Sequence, residues 1–141
     1  MEPVMSGIVV VMENGKGRYQ QEVIAGQHHL LADEPASVGG ADAGPAPFDL
    51  LMAALGSCTS MTLRMYAERK ELPVRRISVT LSHEKLEIDG SLRDRINRTI
   101  TLEGDLSAEQ RQRMLDIANK CPIHRALSQP LLIASQLAGQ P

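Results

Sequence analysis

Aromatic side chains are almost absent from this 141-residue chain, which has one Phe, two Tyr and no Trp. Proteins that bind single-stranded nucleic acids usually stack the bases on aromatic side chains, so this function is disfavoured. The net charge of −2 supplies no broad basic surface for phosphate backbones. We therefore expect no nucleic acid partner, and we expect a core built from aliphatic residues and Met.

Long apolar runs are also missing. No segment reaches the roughly 18 to 20 apolar residues that would span a bilayer. The apolar run Ile8–Met12 is too short for the apolar region of a signal peptide, and no basic stretch precedes it. We therefore expect a cytoplasmic protein without membrane association, where cysteines more often serve as free thiols, catalytic groups or ligands than as structural bridges.

The hydrophobic pattern predicts a single α+β domain over residues 1–141. Alternating or β-branched segments predict three N-terminal strands, a later hairpin and a last strand; the segments are 8–12, 18–24, 28–32, 77–82, 96–102 and 131–135. The charged stretch 84–94 is interpreted as the connection of the hairpin. Punctuation by Pro and Gly predicts a loop over residues 33–46.

Three helices are predicted between these strands. Pro47 suits the first position of a helix that should run to about Lys70. This helix is apolar on nearly every side over residues 48–55, so we expect a second subunit to help cover it. Ser107 and Gln110 form a capping-box pattern at the start of the next helix, with an expected apolar stripe of Met114, Leu115 and Ala118. A short helix should follow from Pro122.

The chain contains two cysteines, and their settings differ. Cys58 lies among small residues in the long helix, where Gly56 costs about 1 kcal/mol relative to Ala and so suggests that another backbone or a substrate comes close. Cys58 is interpreted either as a small buried apolar residue or as a reactive thiol. If Cys58 and Cys121 meet in space, thiol redox chemistry is expected.

Cys121 directly precedes Pro122 and should cap the helix that begins there. Unpaired backbone N–H groups and the helix dipole at that position favour a thiolate, and His124 and Arg125 add potential positive charge. The alternative is that Pro122 marks a helix start and Cys121 fills space. No spacing typical of a zinc site occurs among the cysteines and histidines, so we expect no metal.

Two charged residues could assist a thiol. Asp49 is third in the long helix, where an acidic side chain interacts favourably with the positive helix end. Arg18, on the predicted second strand, is either a charge partner for a thiolate or for Asp49, or a solvated surface residue. We expect no cofactor, because the Gly-rich loop at Gly39 lacks the phosphate-binding patterns.

The helix segment 47–62, the Cys121-Pro122 pair and the Gly-rich segment 39–45 together resemble the OsmC/Ohr family, named after osmotically inducible protein C and organic hydroperoxide resistance protein. The resemblance covers nearly the whole chain. It implies an intertwined homodimer in which antiparallel sheets wrap around long central helices.

The resemblance also implies an activity. Cys58 would be the peroxidatic thiolate that attacks an organic hydroperoxide and becomes a sulfenic acid. Cys121 would be the resolving cysteine that condenses with it to a disulfide, which a dithiol of lipoyl type would reduce. The alternative is an OsmC-like dimer that senses redox state or binds an apolar ligand.

The chain departs from the family pattern at one position. Peroxidase members carry a Glu directly after the Pro that opens the helix, and this Glu pairs with an Arg that activates the thiolate. Here Phe48 occupies that position and the acid is Asp49, while Arg18 is the candidate for the family arginine. A residue ten positions before Cys58 lies about 80° from it around the helix, but one nine positions before it lies nearly opposite.

Overall fold

The computed structural model describes residues 7–139. It confirms the α+β class, with two antiparallel sheets and three α-helices among these residues. The chain forms two compact units, one that extends to Leu51 and one that starts at Met52. The single domain and the intertwined dimer stay predictions.

The first unit contains a three-stranded antiparallel meander. Its strands are β1 (Val9–Glu13), β2 (Gln21–Ala25) and β3 (His28–Ala32), in the spatial order β1-β2-β3. The prediction that Arg18 lies on the second strand is wrong, because Glu13 pairs with Gln21 and the residues between them form a bend. Gly15 in this bend has a φ of 72°, which glycine adopts without strain.

The loop after β3 is organised around the buried side chain of Asp33. Its Oδ1 accepts the Glu34 N–H at 2.8 Å, and its Oδ2 accepts the N–H groups of Ala41 at 3.2 Å and Ala43 at 3.1 Å. The chain packs so closely here that a Cβ on Gly40 would lie 1.9 Å from the Glu34 carbonyl oxygen. The predicted loop is therefore an ordered structure that requires both the carboxylate and the glycine.

The long helix α1 (Pro47–Arg69) begins at the predicted proline. Its buried residues follow one stripe along the helix: Leu55, Gly56, Thr59, Leu63, Tyr66 and Ala67. Met61 and Met65 lie on the solvent-exposed part of the same helix. The described chain therefore covers one side of this apolar helix and leaves another side exposed.

The hairpin is longer than its apolar pattern indicates. It consists of β4 (Val74–Ile88) and β5 (Ser91–Gly104), joined by the two-residue turn Asp89–Gly90. Both turn residues have positive φ, as the tight hairpin turns require. The prediction of a connection over residues 84–94 is wrong, because most of this segment belongs to the two paired strands, where Glu84 pairs with Arg95 and Lys85 with Asp94.

Helix α2 (Ala108–Ala118) begins at Ser107, and the predicted capping box with Gln110 is confirmed. The core of the second unit consists of Leu63, Tyr66, Ala67, Val74, Met114 and Ala118. Leu115, predicted to share this core, is 46% exposed. The preceding residue, Met114, lies on the buried side of α2, and one residue corresponds to about 100° of helix rotation, which turns Leu115 away from the core.

Helix α3 (Pro122–Leu127) follows, as predicted. The predicted strand over residues 131–135 is not formed, and Leu132 is 99% and Ile133 84% exposed. A strand requires a neighbour for its backbone hydrogen bonds, and no strand of the described residues pairs with this segment. Within residues 7–139, no helix has the length and apolar character needed to cross a bilayer.

Candidate functional site

Cys58 lies half-buried on α1, next to a close contact between α1 and β4. A Cβ on Gly56 would lie 2.7 Å from Cδ1 of Leu81, so glycine lets the two elements approach. The group that comes close at Gly56 is thus the Leu81 side chain, whereas a backbone or a substrate was expected there. The contact between Gly56 and Leu81 therefore fixes the distance between α1 and the hairpin two residues before Cys58.

Cys121 is the N-cap residue of α3, as predicted, and it is fully buried. Its backbone is extended, with φ −64° and ψ 144°, because the following proline disfavours helical geometry. Its Sγ accepts the backbone N–H of His124 at 3.3 Å. The sulfur therefore takes the place of the oxygen that usually caps a helix.

Thr59 lies next to the sulfur of Cys121, and Arg98 is hydrogen-bonded to Thr59. Thr59 Oγ1 lies 3.9 Å from Cys121 Sγ, and Arg98 Nη1 donates to the same Thr59 oxygen at 2.9 Å. The Arg98 guanidinium also donates to the Ala118 carbonyl at 3.4 Å and to Asn119 Oδ1 at 2.8 Å. Arg98 thus joins β5 to α1 and to the end of α2, immediately before Cys121.

These surroundings set the acidity of the Cys121 thiol. Burial raises its pKa, but the His124 N–H and the Cys58 side chain oppose this effect as hydrogen-bond partners. The Thr59 side chain and the charge of Arg98 also lower it, and together these groups bring the pKa of Cys121 below its ordinary value. The Cys58 side chain is thus a hydrogen-bond partner of Cys121, and the contacts that favour a thiolate act on the Cys121 sulfur.

His124 acts differently from the expectation. Burial lowers the pKa of its imidazole, and the charge of Arg98 lowers it further. The side chain is therefore mainly neutral at neutral pH, and the residue supports Cys121 through its backbone N–H rather than through an imidazolium.

Arg98 is the site residue that the sequence interpretation missed, although a signal was present. Ile96, Ile100 and Leu102 alternate along one face of β5, and Arg98 has the same parity. A single cation in an apolar face needs partners, because an unpaired buried charge is costly. A charged residue in that stripe could have been recognised as a candidate.

Asp49 and Arg18 both belong to the first unit. Asp49 Oδ2 accepts the Ala46 N–H at 3.0 Å, which is the reach-back contact of an acidic residue in the first helical turn. The guanidinium carbon of Arg18 lies 5.1 Å from the centre of the Tyr19 ring, in the range of a cation–π contact. Their catalytic roles stay predictions.

No group of three His, Cys, Asp or Glu side chains suited to a metal ion occurs between residues 7 and 139. The interaction between Cys58 and Cys121 supports the chemistry of two neighbouring thiols: proton sharing, disulfide formation and disulfide cleavage.

A half-buried helical thiol beside a buried N-cap thiol defines a two-cysteine α+β protein. The family model described as OsmC-like protein matches residues 39–135, and the chain belongs to this family. No curated protein matches the sequence.

Solved structures share the fold. An OsmC-like protein from Mycoplasma pneumoniae is 19% identical with a TM-score of 0.74, covering 88% of each chain. An organic hydroperoxide resistance protein OsmC from Legionella pneumophila is 17% identical with a TM-score of 0.68, covering 89% of this chain and 91% of that one. An organic hydroperoxide resistance protein from Elizabethkingia anophelis is 18% identical with a TM-score of 0.66, covering 89% and 90%. The OsmC-like fold is thus confirmed.

Proposed function

We propose that this protein is a cysteine-based peroxidase that reduces organic hydroperoxides in oxidative-stress defence. The observation that carries the proposal is the contact between the half-buried Cys58 and the buried Cys121. Family membership supports it, as does the likeness to structures named organic hydroperoxide resistance proteins. A cytoplasmic location and the absence of a bound cofactor belong to the same proposal.

The proposed reaction begins at Cys58, the more accessible of the two sulfurs. Its thiolate attacks an oxygen of the hydroperoxide, the S–O bond forms, the O–O bond breaks, and the alkoxide leaves as the alcohol after protonation. Cys58 is then a sulfenic acid. The Cys121 thiolate attacks this sulfur, the S–S bond forms, and hydroxide leaves as water after it takes up a proton.

A dithiol of lipoyl type is proposed to restore the reduced protein. One of its thiolates attacks the Cys58–Cys121 disulfide and its second thiol completes the exchange, so that the dithiol becomes a disulfide. Each turnover thus transfers two electrons from the dithiol to the peroxide.

A second candidate function is redox sensing or apolar-ligand binding without efficient peroxidase activity. Phe48 favours it, because the activating Glu of peroxidase members is missing at this position. The Asp49 carboxylate accepts the Ala46 N–H at 3.0 Å and so has a local role at the helix start.

Stopped-flow oxidation of the reduced protein by cumene hydroperoxide separates the two functions, with Cys58→Ser as the control.

The peroxidase proposal predicts second-order oxidation far faster than that of a free thiol, and no such phase in Cys58→Ser. A rate equal to that of a free thiol would contradict the peroxidase proposal and favour the sensing or binding function. Intact mass after one equivalent of peroxide should show a loss of two hydrogens in the wild type. Cys121→Ser should instead accumulate the sulfenic acid of Cys58.

Arg18 and Asp49 are proposed as the groups that activate Cys58. The variants Arg18→Met and Asp49→Asn should then slow its oxidation by hydroperoxide. Wild-type rates in both variants would remove these two residues from the mechanism.

A homodimer is part of the proposal. The exposed Met61 and Met65 on α1, and the exposed Leu132 and Ile133, are apolar groups that a second copy would cover. Light scattering should give about twice the chain mass of 15.4 kDa. A single species at the mass of one chain would contradict the dimer.

A further inference from the structure

We propose that Arg98 is the positioning residue for the resolving thiol, holding Cys121 beside Thr59 and placing a positive charge on the Thr59 hydroxyl next to its sulfur. The inference rests on the proposed function, in which Cys121 attacks the oxidised Cys58. It assigns Arg98 a role in the second chemical step.

The contacts of Arg98 converge on the segment that carries Cys121. Its guanidinium donates to the Ala118 carbonyl and to Asn119 Oδ1, at 3.4 Å and 2.8 Å, and Asn119 caps the end of α2. Cys121 follows two residues later, and its N–H donates to the Ala118 carbonyl. One side chain of β5 therefore fixes the turn from which the resolving thiol projects.

The same guanidinium reaches the sulfur through Thr59. Arg98 Nη1 donates to Thr59 Oγ1 at 2.9 Å, and the hydroxyl also donates to the Leu55 carbonyl at 2.7 Å. A hydroxyl has a single proton, so Thr59 can direct it either to Leu55 or to a thiolate at Cys121, 3.9 Å away. In both arrangements Arg98 Nη1 donates its hydrogen bond to the Thr59 hydroxyl oxygen.

The charge of Arg98 is constant during the reaction, because guanidinium stays protonated in proteins. Arg98 therefore transfers no proton. It favours the thiolate that forms the S–S bond, while the S–O bond of the sulfenic acid breaks and hydroxide takes up a proton to become water. Loss of the charge should slow disulfide formation about tenfold, as expected for one charge-assisted hydrogen bond.

The test compares Arg98→Met, which removes the charge, with Arg98→Lys, which retains the charge but loses the planar guanidinium with its several N–H donors. Arg111→Met is the matched control, because the Arg111 guanidinium also makes hydrogen bonds within this unit, in its case to the backbone carbonyls of Leu102 and Gly104. Thermal unfolding of all variants identifies any that fail to fold.

The first measurement is the thiolate absorbance of Cys121 against pH in a Cys58→Ser background. The ionisable groups around Cys121 are Cys58 from α1, Arg98 from β5 and His124 from α3. Substitution removes the first, and His124 is already neutral above pH 7 because its pKa is lowered. The midpoint should move upward in Arg98→Met and return towards the wild-type value in Arg98→Lys, with no change in Arg111→Met.

The second measurement is the lifetime of the Cys58 sulfenic acid after one equivalent of cumene hydroperoxide. Its decay to the disulfide should slow about tenfold in Arg98→Met. An unchanged titration midpoint in a folded Arg98→Met variant would overturn the role of Arg98. If wild-type protein is not oxidised, the proposed function fails, but the titration still tests Arg98.

Discussion

Gly56 on α1 faces Leu81 on β4 at a separation that leaves no space for a methyl group: a Cβ on residue 56 would lie 2.7 Å from Leu81 Cδ1. The contact lies two residues before Cys58. It couples the position of one thiol to the packing of the hairpin, and it explains why a glycine is placed in a helix interior.

The substitution Gly56→Ala should destabilise the protein by up to about 2 kcal/mol. A helix-interior alanine is worth about 1 kcal/mol over glycine, but overpacking of a filled site costs about 1 to 3 kcal/mol. In a Leu81→Val background Cδ1 is absent, so the same substitution should become stabilising. Denaturant unfolding of the wild type, the two single variants and the double variant measures the effect of Gly56→Ala on the free energy of unfolding, which should change sign between the two backgrounds. Stabilisation by Gly56→Ala in the wild-type background would contradict the steric argument.

Thiol labelling should distinguish the two cysteines. Cys58 is half-buried and Cys121 is fully buried, so iodoacetamide should modify Cys58 first in the reduced native protein. Cys121 should react after guanidinium unfolding, since its lowered pKa does not help a sulfur that the reagent cannot reach. Peptide mass mapping after timed quenching provides the measurement. Equal labelling of both thiols in native protein would contradict the burial of Cys121.

Asp33→Asn should destabilise the loop after β3 in a pH-dependent way. The Ala43 N–H lowers the pKa of Asp33; burial opposes this, and the N–H groups of Glu34 and Ala41 add to the lowering. Because the folded pKa lies below the unfolded one, the ionised carboxylate contributes stability above about pH 4 and loses it as the pH falls further. The difference in Tm between wild type and Asp33→Asn should therefore be largest near pH 7 and should narrow below about pH 4. The exposed Asp42 of the same loop is the control, and Asp42→Asn should change Tm little. A difference that stays constant with pH would contradict the assigned role of the carboxylate.

Truncation of two adjacent residues of α2 to alanine should lower the free energy of unfolding by very different amounts. Met114 is fully buried in the core, so Met114→Ala should cost about 2 to 5 kcal/mol. Leu115 is 46% exposed, and Leu115→Ala should cost less than about 1 kcal/mol. Denaturant unfolding compares them directly, and equal losses would show that Leu115 also belongs to a packed core.

Local rules predicted those elements whose determinants lie within a few residues. The start of α1 at Pro47, the capping box of Ser107 and the N-cap position of Cys121 are all confirmed. Each depends on proline geometry or on a nearby backbone N–H, which sequence neighbours decide. The strand β3 (His28–Ala32) likewise matches its prediction, because turn residues bound it.

Features that depend on distant partners were missed. The charged segment 84–94 extends the hairpin because Glu84 pairs with Arg95 and Lys85 with Asp94 across the strands. Cross-strand neighbours stabilise charged strands, but the register that brings them together is not local. Arg98 was missed for the same reason, since its partners lie 20 to 39 residues away in sequence.

The unequal burial of the two sulfurs also determines how the protein would be damaged. Under the proposed function, excess hydroperoxide can oxidise the sulfenic acid further to the sulfinic acid, which few systems reverse, and to the sulfonic acid, which is irreversible. Such over-oxidation needs a sulfur that peroxide reaches, and Cys121 is fully buried. We expect irreversible inactivation to mark Cys58 alone, so that competition between Cys121 and a second peroxide molecule sets how long each protein molecule survives.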